Sequence, residues 1–291
     1  MTVVHSRAEL RAELDRRWGE HDRIAYVPTM GALHAGHGRL LEVARERGDV
    51  VVASCYVNPT QFGVGEDLDR YPRTPQADAV LAEAAGVDLL WLPSDEDVYG
   101  STAGEVDLIR VGAIGEVLEG ATRPGHFDGV ASVVVRLLDA VRPDELVLGR
   151  KDHQQVVVLR DVLRRLELPV RIVEVDTVRE GDGLAMSSRN AYLGPMERQV
   201  AATLPHALAL ADAAARAGER DARAIERTAL EVLGGGAPAL QVEYVTLVRA
   251  GTVEPLDRLA DGELGVLLAA VRVGSTRLID NIPIAAGDAG A

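Results

Sequence analysis

Five short runs rich in valine, isoleucine and leucine recur through the first 176 residues: RIAYVPT (23–29), DVVVASCYV (49–57), VDLLWLP (87–93), ELVLG (145–149) and VRIVEVD (170–176). Their apolar positions are nearly continuous rather than alternating, the pattern of strands covered on both faces. Between most of them lie segments of helical period, at 38–47, 76–85, 129–140 and 153–166. Strands alternating with helices imply right-handed crossovers and a parallel sheet. VDLIRV (106–111) is a further strand candidate without an assigned place. Beyond residue 190 come two alanine-rich helical stretches, roughly 195–217 and 220–233, then GGGAP, then the apolar runs LQVEYVTLV, GVLLAAVRV and TRLIDNIPI. The pattern predicts an α/β chain with a parallel-sheet domain over 1–176 and a smaller α+β domain over 177–291.

Composition narrows the function classes. A chain of 291 residues, 47% of them hydrophobic, is long enough for one large domain or two. Its formal charge of -14, from 45 acidic and 31 basic side chains, argues against broad binding to nucleic acid or to an anionic membrane. A few local cations still suffice for an anionic substrate. The single cysteine, Cys55, rules out an intrachain disulfide and a cysteine-built zinc site. There is no basic-then-apolar leader and no run of about 18 apolar residues, so the expectation is a cytoplasmic protein that spans no membrane.

In an open parallel sheet, ligands sit beyond the carboxyl ends of the strands. Here the first run exits into MGALHAGH, the second into NPTQF and the fourth into GRKDHQQ, and the fifth is followed by REGDGLAMSSRN. His34 and His37 flank Gly36 where a helix begins. A zinc site would need a third protein ligand, and the other histidines (5, 21, 126, 153, 206) show no grouping with this pair. The unpaired N–H groups and dipole of a helix start attract anions, and Gly31 and Gly36 admit close backbone approach, so phosphate is the leading reading. Neither GxxxxGK followed by Ser or Thr nor GxGxxG occurs in that turn.

In GRKDHQQ, Lys151 and Asp152 open a helix, as phosphate contacts or as a solvated cation and a cap. Counting back four from Leu159 in the stripe Leu159, Val162, Leu166 lands on Gln155, which is therefore predicted to point inward, with Gln154 off the stripe. An inward amide needs a partner, which makes Gln155 a candidate for holding a polar substrate. MSSRN (186–190) offers two hydroxyls and a guanidinium after Gly181 and Gly183; it reads as a phosphate-closing loop or as a plain polar loop. Arg123 and His126 lie on the Pro-Gly turn of ATRPGHFDG (121–129).

PTMGALHAGH, YVNPTQF, YPR (71–73), RPGHFDGVASVV, GRKDHQQ, DGLAMSSRNAYL and TRLIDN resemble, in order and over about the whole chain, blocks of the pantothenate synthetase (pantoate–β-alanine ligase) family. The HxGH turn and the SSR loop also resemble the two phosphate signatures of the wider nucleotidyltransferase superfamily, which includes class I aminoacyl-tRNA synthetases. This resemblance implies a Rossmann-like amino-terminal domain, a smaller carboxy-terminal lid domain that covers the site, and a homodimer formed through the larger domain. The implied reaction joins (R)-pantoate to β-alanine using ATP with Mg2+, and releases AMP and pyrophosphate. A carboxylate does not react with an amine in neutral water. The pantoate carboxylate must first attack the α-phosphorus to give pantoyl adenylate, from which the amine displaces AMP. No protein nucleophile is needed; the task is positioning and charge stabilisation.

By the same resemblance Met30, Gly31, Ala32, Leu33, His34, Ala35, Gly36 and His37 lie along ATP, His34 and His37 bonding phosphate and His37 donating to the leaving group. Gly149, Arg150, Lys151 and Asp152 hold ribose and phosphate, with Lys151 the main charge on the transferring centre. Val178 contacts adenine through its backbone, and Met186, Ser187, Ser188 and Arg189 close over the phosphates. Gln61 and Gln155 bind pantoate, Gln61 also lying near β-alanine, with Asn58 in support; Arg123 serves later steps or a dimer edge. The chain departs from the family at Ala35, where an acid is common, and at Gly38, where a larger apolar residue is usual; both bear on loop stiffness. After YPR it reads TPQADAV where some relatives carry adjacent acids, so Asp78 and Asp152 are the candidate magnesium ligands beside ATP oxygens and water. The competing readings are another adenylyl-transferring enzyme of the superfamily and a relative that binds ATP without turnover.

Overall fold

The computed structural model describes residues 1–19, 22–100, 106–235 and 240–286; His21 and positions 236–238 of the GGGAP break fall outside them. The chain divides into two compact units, Met1–Arg150 with Gln154–Asp176, and Lys151–His153 with Thr177–Ala291.

The first unit runs β1 (Thr2–Val4), α1 (Arg7–Arg17), β2 (Ile24–Thr29), α2 (Ala35–Arg47), β3 (Val50–Cys55), α3 (Pro75–Ala84), β4 (Leu89–Trp91), α4 (Asp95–Tyr99), α5 (Glu119–Thr122), α6 (His126–Val141), β5 (Glu145–Gly149), α7 (His153–Arg165) and β6 (Arg171–Val175); the first residue of α7 groups with the second unit. Its six strands form one parallel sheet in the order β1-β4-β3-β2-β5-β6. Side chains alternate along each strand. Tyr26, Val50, Val52, Leu89, Trp91, Leu146 and Leu148 turn to a layer shared with α1, α6 and the Val156–Leu159–Leu163 stripe of α7. Ala25, Val27, Val51, Ala53, Leu90 and Val147 turn to the other layer, against Leu41 and Ala44 of α2 and Ala82 of α3. Burial on both faces is why these strands carry no polar alternation. The result is a Rossmann-like doubly wound sheet.

Strand order reverses at β2, with β3 and β4 to one side and β5 and β6 to the other. The β2–β3 register continues to Thr29, whereas β2 and β5 are in register only at Ala25 and Tyr26. Pro28, with no N–H to give, falls where the second ladder has ended. β2 and β5 therefore part at their carboxyl ends, the switch point at which such sheets take ligands.

VDLIRV (106–111) is not a strand. Its backbone bonds to side chains of α6 instead: Ile109 N–H donates to Ser132 Oγ (2.7 Å) and Val111 N–H to Asp128 Oδ1 (3.0 Å). Val111 and Ile109 pack against Phe127 and Ala131, so apolar burial rather than a ladder explains the run.

In the second unit α8 (Pro195–Ala201), α9 (Thr203–Arg216) and α10 (Ala222–Gly234) pack on antiparallel β7 (Leu240–Arg249), β8 (Leu264–Val273) and β9 (Thr276–Ala285), ordered β7-β8-β9. The stretch expected as one helix over 195–217 divides at Ala202. Pro205 lacks an N–H, and its ring crowds the carbonyl of Ala201. Ala207, Ala211, Ala215, Ala222 and Ala229 are buried together with Leu247, Leu267 and Val271 of the sheet, which is why the helices are alanine-rich. No described helix is long and apolar enough to cross a membrane.

Candidate active site

The segment from β2 to α2 reverses within a few residues at the switch point. Gly31 (φ 77°) and Ala32 (φ 50°) are both left-handed, a conformation that costs a residue with a Cβ roughly 1 kcal/mol. Two side chains hold them. Thr29 Oγ1 accepts from Gly31 N–H (3.1 Å) and donates to the Ser54 carbonyl (2.7 Å). Asp78 of α3, 2% exposed, accepts Ala32 N–H on one carboxylate oxygen (3.1 Å) and Leu33 N–H on the other (2.8 Å), with the Thr74 hydroxyl also donating (3.0 Å). A Cβ at Gly31 would lie 3.0 Å from the same carboxylate. Asp78 is thus a clamp on the turn, with both oxygens occupied by protein donors. The sequence carried a signal of this: Asp78 sits one helical turn before buried Ala82 and so points inward.

The clamp delivers the chain to His34, the N-cap of α2. Its Nδ1 accepts Gly36 N–H (3.1 Å), and the Nδ1 of His37 reaches back to accept His34 N–H (3.3 Å). This is a capping box built from two imidazoles in place of the usual hydroxyl and carboxylate. The rings lie 4.1 Å apart, tilted by 35°. An imidazole that accepts at Nδ1 carries its proton at Nε2 when neutral. Both rings are therefore set as Nε2–H donors at the start of a helix whose own dipole favours an anion.

β3 exits into a one-turn helix, Pro59–Gln61, capped by Asn58. Asn58 and Gln61 are buried. Asn58 Nδ2 donates to Gln61 Oε1 (3.0 Å) and to the Gly129 carbonyl (3.3 Å); its Oδ1 accepts from Tyr99 Oη (2.6 Å) and Thr60 Oγ1 (3.0 Å). Gln61 Nε2 lies 3.1 Å from Met30 Sδ, so the exits of β2 and β3 meet at this amide. α6 presses on the turn from behind: a Cβ at Gly129 would sit 2.3 Å from the Thr60 carbonyl oxygen, so only glycine fits.

A second layer fixes Gln61 from its backbone. Arg123 donates to Glu66 through Nε (2.8 Å) and one Nη (2.6 Å), and to the Gln61 carbonyl (3.3 Å). His126 Nδ1 shares that carbonyl (2.8 Å) while its Nε2 faces Arg123 (2.9 Å). Burial first, and the Arg123 charge second, push the His126 pKa down from 6.5 to about 4. The neutral ring therefore donates at Nδ1 and accepts from Arg123 at Nε2. Arg123 anchors Gln61 within the first unit, a role that the sequence did not single out.

At the start of α7 the structure corrects the expectation for the two glutamines. Gln154, not Gln155, is the fully inward amide, 3% exposed. Its Oε1 accepts Glu119 N–H (3.0 Å), and its Nε2 donates to the carbonyls of Ile114 (2.9 Å) and Val117 (2.8 Å). It thereby fastens a turn in which Leu118 is left-handed (φ 51°). The single-stripe count fails because α7 is buried on two sides, Val156, Leu159 and Leu163 on one and Val158 and Val162 on the other, while Leu166 is 45% exposed. Gln155 lies at the margin between these sides, half-buried, and among the described residues its amide has no hydrogen bond. Among the described residues it has no hydrogen bond to Asn58 or Gln61. Arg150 pairs with Glu174 (3.3 Å) and Asp176 (2.6 Å) just beyond β5.

The second unit holds the remaining candidates. Lys151 is half-buried and Asp152 exposed. The Lys151 carbonyl accepts from Asn281 Nδ2 (2.8 Å), and His153 Nε2 lies 2.9 Å from the Thr252 carbonyl. The Val178 carbonyl is taken by Met186 N–H (3.0 Å). Ser187 caps a short helix, Ser188–Tyr192, by accepting Arg189 N–H (3.3 Å). Asn190 behind it donates to Glu180 Oε1 (2.6 Å) and the Ala185 carbonyl (3.1 Å). Among the described residues no three His, Cys, Asp or Glu side chains are grouped to hold a metal.

Residues 2–283 match the family model of pantoate-beta-alanine ligase. The chain is 49% identical over 286 residues to the pantothenate synthetase of Thioalkalivibrio sulfidiphilus, covering 98% of each. Its fold is similar to that of the pantothenate synthetase of Thermus thermophilus, with 43% identity and a TM-score of 0.89 over 97% of this chain and 99% of that one. The pantoate-beta-alanine ligase of Francisella tularensis, solved with beta-gamma ATP and beta-alanine, is similar at 29% identity and a TM-score of 0.79 over 97% of each chain. The match spans almost the whole chain, and the chain belongs to the pantoate-beta-alanine ligase family.

Proposed function

We propose that this chain joins (R)-pantoate to β-alanine through pantoyl adenylate, using ATP and releasing AMP and pyrophosphate. Membership of the family supports the reaction, and a relative solved with beta-gamma ATP and beta-alanine supports the ligand classes. The observation in this chain that carries the mechanism is the histidine capping box at the switch point, which directs two Nε2–H donors away from a helix start.

In this reading the parallel-sheet unit carries pantoate and most of the ATP contacts. Residues 30–37 line the triphosphate, and His34 and His37 donate to its oxygens. As the pantoate carboxylate attacks the α-phosphorus and the bond to pyrophosphate breaks, charge grows on the leaving oxygens. His37 is placed to donate there. Gln61, pinned by Asn58 and by Arg123 and His126, orients pantoate, and the half-buried amide of Gln155 supplies a further polar contact. From the second unit Lys151 offsets phosphate charge, Met186, Ser187, Ser188 and Arg189 donate to phosphate oxygens, and Val178 flanks adenine. Gly149 and Arg150 contribute backbone toward the ribose, since the Arg150 guanidinium is engaged by two acids. The amine of β-alanine then attacks the acyl carbon, and AMP leaves with the former carboxylate oxygen.

Mg2+ fits this site as a companion of ATP rather than as a caged ion. Asp78 has both oxygens committed to the turn, and exposed Asp152 is the acid left to approach the ion, directly or through water. When bound, the ion would neutralise phosphate charge. A homodimer in the cytoplasm completes the proposal, on the strength of the family resemblance. The test is AMP formation from magnesium-ATP by the purified chain. The proposal expects AMP, pyrophosphate and amide product only with both pantoate and β-alanine present in turnover; AMP released equally well without either acid would overturn it, and a product bearing a transferred AMP group would favour a different adenylyl transfer.

A further inference from the structure

The TRLIDN run ends in two buried polar residues on β9 that the reaction above does not use. Asp280 is 2% exposed and Asn281 7%. At that depth polar groups are bonded, and the partners show what the residues hold. Asn281 Nδ2 donates to the backbone carbonyl of Lys151 (2.8 Å). Asp280 accepts both Nη groups of Arg179 (2.6 and 3.0 Å) and the N–H of Asn281 (2.8 Å). Arg179 also donates to the carbonyls of Gly183 (3.0 Å) and Asn281 (3.2 Å). Arg179 and Ala185 bridge as an antiparallel pair, and the next residues, Val178 and Met186, are joined by the bond described above. One two-residue step of β9 therefore fastens both segments of the second unit assigned to the nucleotide: residues 151–153 through Asn281, and residues 178–186 through Asp280 and Arg179.

The bond to Lys151 falls on its backbone and leaves the ammonium out of it. A lysine stem has four rotatable bonds, and its head can be placed only from a fixed base. We propose that Asn281, held by the Asp280–Arg179 pair, is a positioning residue for Lys151 in adenylate formation. The proposal rests on the ligase reading and on Lys151 acting at the phosphates. It requires that removing the Asn281 donor slow the chemical step, leave the pantoate contacts of the first unit untouched, and act only through Lys151.

The experiment is a double-mutant cycle on the full chain, with Asn281→Asp and Lys151→Ala, reading the single-turnover rate of pyrophosphate formation at saturating ATP and pantoate. Asn281→Asp keeps the size and replaces the donor by an oxygen. The expected result is a fall of about tenfold or more in rate with the KM for pantoate within about twofold, and less than about twofold further loss when the same change is made in Lys151→Ala. A rate within twofold of the unsubstituted chain overturns the proposal, as does a loss that multiplies fully with that of Lys151→Ala. Should Asn281→Asp not fold, Asn281→Ala is read by the same criteria. Failure of the unsubstituted chain to form pyrophosphate from ATP and pantoate would instead sink the ligase reading, so the two failures are told apart.

Discussion

Asp78→Asn removes one oxygen from a carboxylate that receives Ala32 N–H, Leu33 N–H and the Thr74 hydroxyl. The amide has a single oxygen to offer. However it is turned, an NH2 faces one of the two backbone N–H groups. A buried donor left unpaired costs about 1–3 kcal/mol, and exchanging a charged acceptor for a neutral one weakens the surviving bonds by about 1 kcal/mol in all, giving a destabilisation of about 2–4 kcal/mol. The strain lies at Ala32, which this clamp holds left-handed beside Gly31 and its bond to Thr29, so the turn relaxes before the fold does. Because His34 and His37 follow directly, a shift on the order of 1 Å there lowers kcat by about ten- to a hundredfold. Urea unfolding followed by tryptophan fluorescence gives the first quantity, and steady-state AMP formation across a magnesium titration gives the second. A variant as stable as the parent with kcat within about threefold of it would refute the clamp. Recovery of activity on raising Mg2+ would identify Asp78 as a metal ligand instead.

The two glutamines of α7 should separate cleanly. Gln154→Ala removes the acceptor of the buried Glu119 N–H and the amide donor to the Ile114 and Val117 carbonyls and costs stability by about 1–3 kcal/mol in urea melts, while Gln155→Ala leaves stability within about 0.5 kcal/mol and raises the KM for pantoate; the reverse pattern would restore the single-stripe reading. His126 is held neutral with its pKa lowered from 6.5 to about 4, so below pH 6.5 the unfolded chain binds a proton that the folded chain refuses. Stability from this residue is present above that pH, falls as pH drops from 6.5 toward 4, and amounts to about 3 kcal/mol in full. His126→Gln should flatten that part of the stability profile; an equal acid loss in parent and variant would contradict a neutral ring. At Gly129, alanine would bring a methyl to 2.3 Å from the Thr60 carbonyl oxygen and 2.8 Å from Gln61 N. The displaced turn should cost about 1–3 kcal/mol and raise the KM for pantoate, and an unchanged KM would separate Gln61 from pantoate binding.

The parallel sheet was legible because both faces of its strands are buried, so each appears as an unbroken apolar run with a helix on either side. β1 escaped notice at three residues, too short to establish a period. VDLIRV misled because apolar content reports burial and not the partner of the backbone, which here is a pair of α6 side chains. His34 and His37 were legible as a pair at a helix start, but their capping role was not, since N-caps are recognised by Ser, Thr, Asp and Asn. The Asp78 clamp joins residues 45 and 46 positions apart, and Asn281 reaches Lys151 across 130. Helical position could show that Asp78 points inward, but only tertiary structure shows at what. Gln155 was named for an inward orientation that belongs to Gln154, and its candidacy now stands on the family resemblance and on an amide that has no hydrogen bond among the described residues.

In the proposed mechanism a pantoate carboxylate oxygen attacks the α-phosphorus within a site built on the histidine turn. Pantoate labelled with oxygen-18 in both carboxylate positions, turned over with ATP and β-alanine, tests it by mass spectrometry of the AMP. One labelled oxygen is expected in every AMP formed and one retained in the amide. AMP free of label, with oxygen-18 found instead in inorganic phosphate or lost to water, would contradict it.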